Sequence, residues 1–259
     1  MADRCLRTFP LGDESMGAGM NSTTDLATHL PLLLGAAGIT HVQLDVLTRR
    51  DSFKGAEVST RAQEVTGPAR EEHRRRGFGF WEYVLSATYD VDTDTRRALM
   101  DGALRHNSSE TIQTQLTLSE FNRSLSDRAF TGLPERTIIS LTSHVEASTG
   151  RSWHLPMLDM GAPVGSVGAA ACVDALTGLG MSGQLYESGR SYHFIADRPV
   201  SPDDFRVVLA RAQLLSPIVD ARWIAHQLID GRAGLRISTD TARHTVPHKF
   251  VTLVDGDKV

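Results

Sequence analysis

Along the chain the spacing of apolar residues changes several times, and each change marks an element. Up to about Ser22 the apolar residues are scattered among Gly, Met and Ser without periodicity, so residues 1–22 are expected to be a loose arm. The segment TTDLATHLPLLLGAAG begins at a Thr or Asp cap and predicts a short helix limited by Pro31 and the glycines behind it. From Ile39 to Val46 apolar and polar residues alternate, the signature of a half-buried strand. The polar stretch from Thr48 to Arg76 ends in EEHRRR, a charge run that suits the solvated face of a helix. From Gly77 the aromatic-rich GFGFWEYVLSATYDV predicts a strand, or a buried turn leading into one. DTDTRRALMDGALRH places acids before bases, as a helix dipole favours, and residues 107–135 have the texture of a polar connection.

After Pro134 the alternation becomes regular. RTIISLTSHVEA predicts a strand and WHLPMLDM a second one ending in an acid. GAPVGSVGAAACVDALTGLG predicts a small-residue helix entered through glycines, and GQLYES with SYHFIAD a hairpin turning at Ser188-Gly189. Ser201, Pro202 and two acids open the helix SPDDFRVVLARAQLL, helical spacing resumes beyond Asp220, and AGLRIST and HKFVTLVDG close as strands. The change of texture divides the chain into an arm (1–22), an N-terminal α/β region of unassigned role (23–134) and a core (135–259).

Composition narrows the function classes. With 259 residues, 41% of them hydrophobic, the chain can bury a full core, and no apolar run approaches the roughly 18 residues that a membrane span needs. Acids occupy the N-terminal stretch where a signal peptide would be basic, and Cys5 and Cys172 form no CxxC pair, so a cytoplasmic location is expected. The net charge of -4 arises in residues 1–150, whereas residues 151–259 balance. A sequence-independent grip on a phosphate backbone is therefore not expected, and local sites must carry any nucleotide binding.

The polar residues at strand ends form an ordered set. Asp159 closes HLPML, Ser191 and His193 stand two apart in SYHFIA, Asp220 closes IVD, and Arg232 and Arg236 follow in GRAGLRIS. Carboxylates at strand ends can share Mg²⁺ or Mn²⁺, and a histidine with arginines beside them suits a triphosphate. In LPMLDMG, SGRSYHF and SPIVD this order resembles the archaeo-eukaryotic primase superfamily, the primase-polymerase fold, whose motifs are an apolar strand ending in Asp-x-Asp/Glu, a Ser-x-His strand and an apolar residue followed by Asp. IVDARWIAHQLIDGRAGLRIS is similar to the segment in which the third-motif Asp precedes a helical turn and an Arg-bearing strand, so the resemblance covers about residues 135–255. It implies an α+β fold, with a primase-polymerase-like mixed sheet and flanking helices in the C-terminal half beside the N-terminal α/β part.

The resemblance also implies that Asp159 and Asp220 hold Mg²⁺ or Mn²⁺ and act catalytically, while Ser191, His193, Arg232 and Arg236 bind the nucleotide. The expected partners are a nucleoside triphosphate, nucleic acid or a protein partner, with no membrane. Gly161 stands where the family has its second carboxylate. That departure implies a divergent module in which metal-dependent nucleotidyl transfer is weakened or lost; the alternatives are an active DNA or RNA primase-polymerase and a non-catalytic scaffold subunit.

Other readings fit less well. Gly161, Gly165 and Gly168 match neither GxGxxG nor a lysine-bearing P-loop. Ser191 lies in no GxSxG elbow, and Asp90, Asp92 and Asp94 lack the glycine and glutamate of a calcium loop.

Overall fold

The computed structural model describes residues 25–48, 60–76, 79–104, 111–242 and 244–256, and the arm read over residues 1–22 lies outside them. The first helix, α1 (Asp25–Ala36), buries Leu26, Leu30, Leu33 and Leu34 along one stripe and leads into β1 (Ile39–Thr48). A helical group follows: α2 (Thr60–Arg76), α3 (Phe80–Ser86), a 3-10 turn over Ala87–Asp90, and α4 (Thr93–Leu104). Then come β2 (Thr111–Thr117), α5 (Leu118–Ser126), β3 (Thr137–Ala147), β4 (Ser152–His154) and β5 (Met157–Met160). The chain continues through α6 (Ser166–Gly178), the hairpin β6 (Gly183–Glu187) and β7 (Tyr192–Ala196), α7 (Pro202–Gln213), α8 (Ala221–Asp230), β8 (Gly234–Arg236) and β9 (Lys249–Val254).

The strands form two sheets, both antiparallel between neighbours, in an α+β architecture. One has the order β2-β1-β3-β4 with β8 also paired to β3; the other is β5-β7-β6-β9. Strands from both sides of residue 134 therefore share the first sheet, and one apolar core runs from Leu26 to Val254.

Three local expectations change. The aromatic stretch expected as a strand forms α3, because Phe80, Trp81 and Val84 at helical spacing fill a second small core with Ala62, Val65, Ala69 and Leu99. The polar connection expected over 107–135 contains β2 and α5. The latter starts at a reciprocal cap in which the Glu120 N–H donates to Thr117 Oγ1 at 3.2 Å and the Thr117 N–H to Glu120 Oε2 at 2.9 Å. The stretch WHLPMLDM is two strands rather than one, since the chain passes from the first sheet to the second across Leu155-Pro156. Among the described residues, no helix is long and apolar enough to cross a membrane.

Candidate functional site

Asp159 lies in the middle of a short cross-strand row. On one side it is in register with His193 of β7, itself opposite Tyr186 of β6. On the other side the segment before α8 runs antiparallel to the end of β5. The Asp220 N–H donates to the Asp159 carbonyl at 2.9 Å, Met160 bridges Val219, and the Gly161 N–H donates to the Ile218 carbonyl at 2.8 Å. Directly opposed residues of antiparallel strands present their side chains to the same face, about 5 Å apart at Cβ. The structure thus brings Asp220, Asp159 and His193 together on one face, with Asp159 Oδ1 3.8 Å from His193 Nε2.

Each member has a distinct surrounding. Asp220 also caps α8, with Oδ1 accepting from the Trp223 N–H at 2.9 Å. Asp159 keeps 29% of its side chain exposed, yet enough protein surrounds the carboxyl to penalise its charge. Burial first, and then the Asp220 charge, push its pKa up to about 8 against the pull of Arg236. His193 is buried, and burial first, then the charges of Arg236 and His244, hold its pKa down at about 3, with the Arg236 main-chain carbonyl acting in the opposite direction.

Arg236 belongs to the same neighbourhood, since Asp159, His193 and His248 all feel its charge. Its guanidinium is held by the main-chain carbonyls of Ser188 and Ser238, which fixes where that charge sits. Ser191 lies in the turn just before β7, with Oγ 3.5 Å from Ser188 Oγ and its carbonyl accepting from the Ser188 N–H at 2.9 Å. Arg232 is engaged elsewhere. Its Nη2 donates to Asp45 Oδ2 of β1 at 2.9 Å, and its charge acts on His144 and is not among those shifting Asp159 or His193.

Gly161 decides what metal chemistry the row can support. Two residues beyond Asp159, it stands on the same side of the strand, and a Cβ there would lie 2.5 Å from the Pro217 carbonyl oxygen. The position that would supply a second carboxylate is closed by main chain. Among the described residues no group of three or more His, Cys, Asp or Glu side chains could hold a metal ion. A pair of dications about 4 Å apart needs more ligands than Asp159 and Asp220 offer, so a two-cation centre does not fit. Asp159 and Asp220 together could hold one hard dication.

The glycine-rich entrance to α6 has a structural explanation. A Cβ at Gly168 would lie 1.9 Å from the Pro163 carbonyl oxygen, and the Gly165 N–H donates to the Tyr192 hydroxyl at 2.8 Å. One of the backbone donors that a phosphate cradle would use is therefore already bonded.

Sequence reasoning missed His248, whose Nε2 lies 3.0 Å from His193 Nδ1. Its only signal was a histidine next to the last strand, which no motif singles out. It also missed a polar groove of about 290 Å³ on the first sheet, lined by His41, Gln43, Gln115, His144 and Glu146.

Comparison with known proteins adds one match. The family model described as AEP-like, archaeo-eukaryotic primase 1D-like, matches residues 117–249, a little over half of the chain. No curated protein and no solved structure matches.

Proposed function

The chain belongs to the archaeo-eukaryotic primase-like family, and from that premise we propose that it is a primase-polymerase-like protein that binds a nucleoside triphosphate or nucleic acid while metal-dependent nucleotidyl transfer is weakened or lost. The observation that carries this reading is the Pro217 carbonyl oxygen 2.5 Å from a Cβ at position 161, which denies the first motif its second carboxylate. Transfer needs charge neutralised at both the attacking and leaving oxygens, and two carboxylates, Asp159 and Asp220, would hold fewer dications than that displacement needs. Binding makes smaller demands: His193 Nε2 and the fixed charge of Arg236 serve phosphate oxygens, and Asp159 and Asp220 would hold Mg²⁺ or Mn²⁺, which would supply further positive charge.

Asp220→Asn gives a clean test, because asparagine caps a helix about as well as aspartate but brings no negative charge. In equilibrium titrations with ATP and Mg²⁺, the wild type is expected to bind. The variant should bind about tenfold more weakly with an unchanged melting temperature, the loss of one charge-assisted contact of about 1.4 kcal/mol. Equal affinity in both proteins would remove Asp220 from the site. Failure of the wild type to bind either ATP or a single-stranded oligonucleotide would overturn the binding reading in favour of a scaffold subunit.

A further inference from the structure

His248 is a buried group that the nucleotide reading leaves without a role. It stands one residue before β9, is 4% exposed, and shares with His193 a single 3.0 Å contact between its Nε2 and His193 Nδ1, the rings tilted at 41°. Its other nitrogen, Nδ1, has no hydrogen-bond partner among the described residues. The walls nearby are mostly apolar: Leu26, Leu125, Phe130, Ile237 and Pro247 line a small space with His248.

Two neutral imidazoles joined by one hydrogen bond must place one proton between them, and the choice sets the tautomer of both rings. A stranded buried N–H is costlier and rarer than an unused acceptor lone pair. The bare nitrogen of His248 is therefore Nδ1, and its proton sits on Nε2, donated to His193 Nδ1. With Nδ1 accepting from His248, neutral His193 carries its own proton on Nε2, the nitrogen that faces Asp159 Oδ1 at 3.8 Å, and the Arg236 main-chain carbonyl nearby is a second acceptor for a His193 ring N–H.

We propose that His248 is a positioning residue that fixes His193 as an Nε2–H donor aimed into the Asp159 pocket. The proposal rests on the nucleotide-binding reading above and deepens it: His193 anchors a phosphate oxygen and does not accept a proton at that nitrogen. It also gives the pocket a preference for an acceptor ligand, such as a phosphate ester, at the place where the imidazole points.

Nitrogen-15 NMR of the full chain with labelled histidine reads the tautomer directly, without nucleotide. The expected spectrum gives His193 a protonated, pyrrole-type Nε2 and a bare, pyridine-type Nδ1, and gives His248 the same pattern. In His248→Gln the amide nitrogen still reaches His193 Nδ1 as a donor, so the tautomer should persist and ATP affinity should stay within about threefold of wild type. In His248→Leu the donor is gone, so His193 should populate both tautomers and ATP affinity should fall about tenfold. A wild-type spectrum with the proton of His193 on Nδ1 overturns the proposal even if the leucine variant fails to fold, and so does a single unchanged tautomer in a folded His248→Leu protein. If ATP binds to none of the proteins while the wild-type tautomer is as expected, the nucleotide reading fails and the orienting role of His248 stands.

Discussion

Replacing Gly161 with aspartate is expected to destabilise the protein and to create no active polymerase. The new Cβ would lie 2.5 Å from the Pro217 carbonyl oxygen, and just after that carbonyl the Ile218 oxygen and the Asp220 N–H are tied by hydrogen bonds of 2.8 and 2.9 Å to the Gly161 N–H and the Asp159 carbonyl. Main chain bonded in register cannot swing aside as a flexible side chain would. Overpacking of this kind costs about 1–3 kcal/mol, which in a chain of this size lowers the melting temperature by roughly 2–12 °C. Gly161→Ala should show most of the same loss, because the clash begins at Cβ. A Gly161→Asp protein that melts with the wild type and extends primers would show that the strand can open to admit a third carboxylate.

The second large effect is a stability optimum close to pH 6.5. His193 and His154 are buried with pKa values held down at about 3 and about 4, and burial pushes His248 in the same direction. In the unfolded chain each titrates near 6.5, so a depressed folded value stabilises the protein above that pH, and the contribution is lost as pH falls toward 3. Asp159 acts in the opposite sense. Its folded pKa of about 8 exceeds the ordinary carboxylate value, so its contribution is fully present at low pH and is lost as pH rises through 8. Below 6.5 these three histidines, joined by His144, whose pKa burial also lowers, oppose one carboxyl, and the melting temperature should fall by roughly 5 °C or more per pH unit. Above 6.5 only Asp159 among these groups acts, and a shallower decline should run to about pH 8. Thermal melts from pH 4 to 9 check both limbs. Asp159→Asn should flatten the alkaline limb and steepen the acid one, where the carboxyl no longer opposes the histidines, and an alkaline limb unaltered in that variant would contradict the assignment.

The residues explain how far the sequence carried. The juxtaposition of Asp159, His193 and Asp220 was foreshadowed by their order, since Asp159 and His193 lie in paired strands and Asp220, the cap of α8, follows a segment that runs antiparallel to the end of β5. The signal for α5 was present in Thr117 and Glu120, three apart, but was hidden in a polar stretch without an apolar run. The aromatic stretch after Gly77 misled because Phe, Trp, Tyr and Val favour strands in general, whereas the partners that decide the matter here, Ala62, Ala69 and Leu99, are distant in sequence. The same limit hid His248, whose contact with His193 spans 55 positions. The ion pair that draws Arg232 to Asp45 spans 187. The obstruction at Gly161 was also beyond local reading: the sequence shows a glycine in place of an acid, and only the fold shows that a carbonyl occupies the space.

Template-directed primer extension tests the central claim most directly. The full chain is supplied with a primed template, nucleoside triphosphates and either Mg²⁺ or Mn²⁺, at concentrations where ATP binding has been measured. The account predicts bound triphosphate and no extended product above the level given by an Asp159→Ala, Asp220→Ala double variant. Sustained extension by the wild type, abolished by Asp220→Asn, would contradict it by showing that two carboxylates suffice for transfer in this fold.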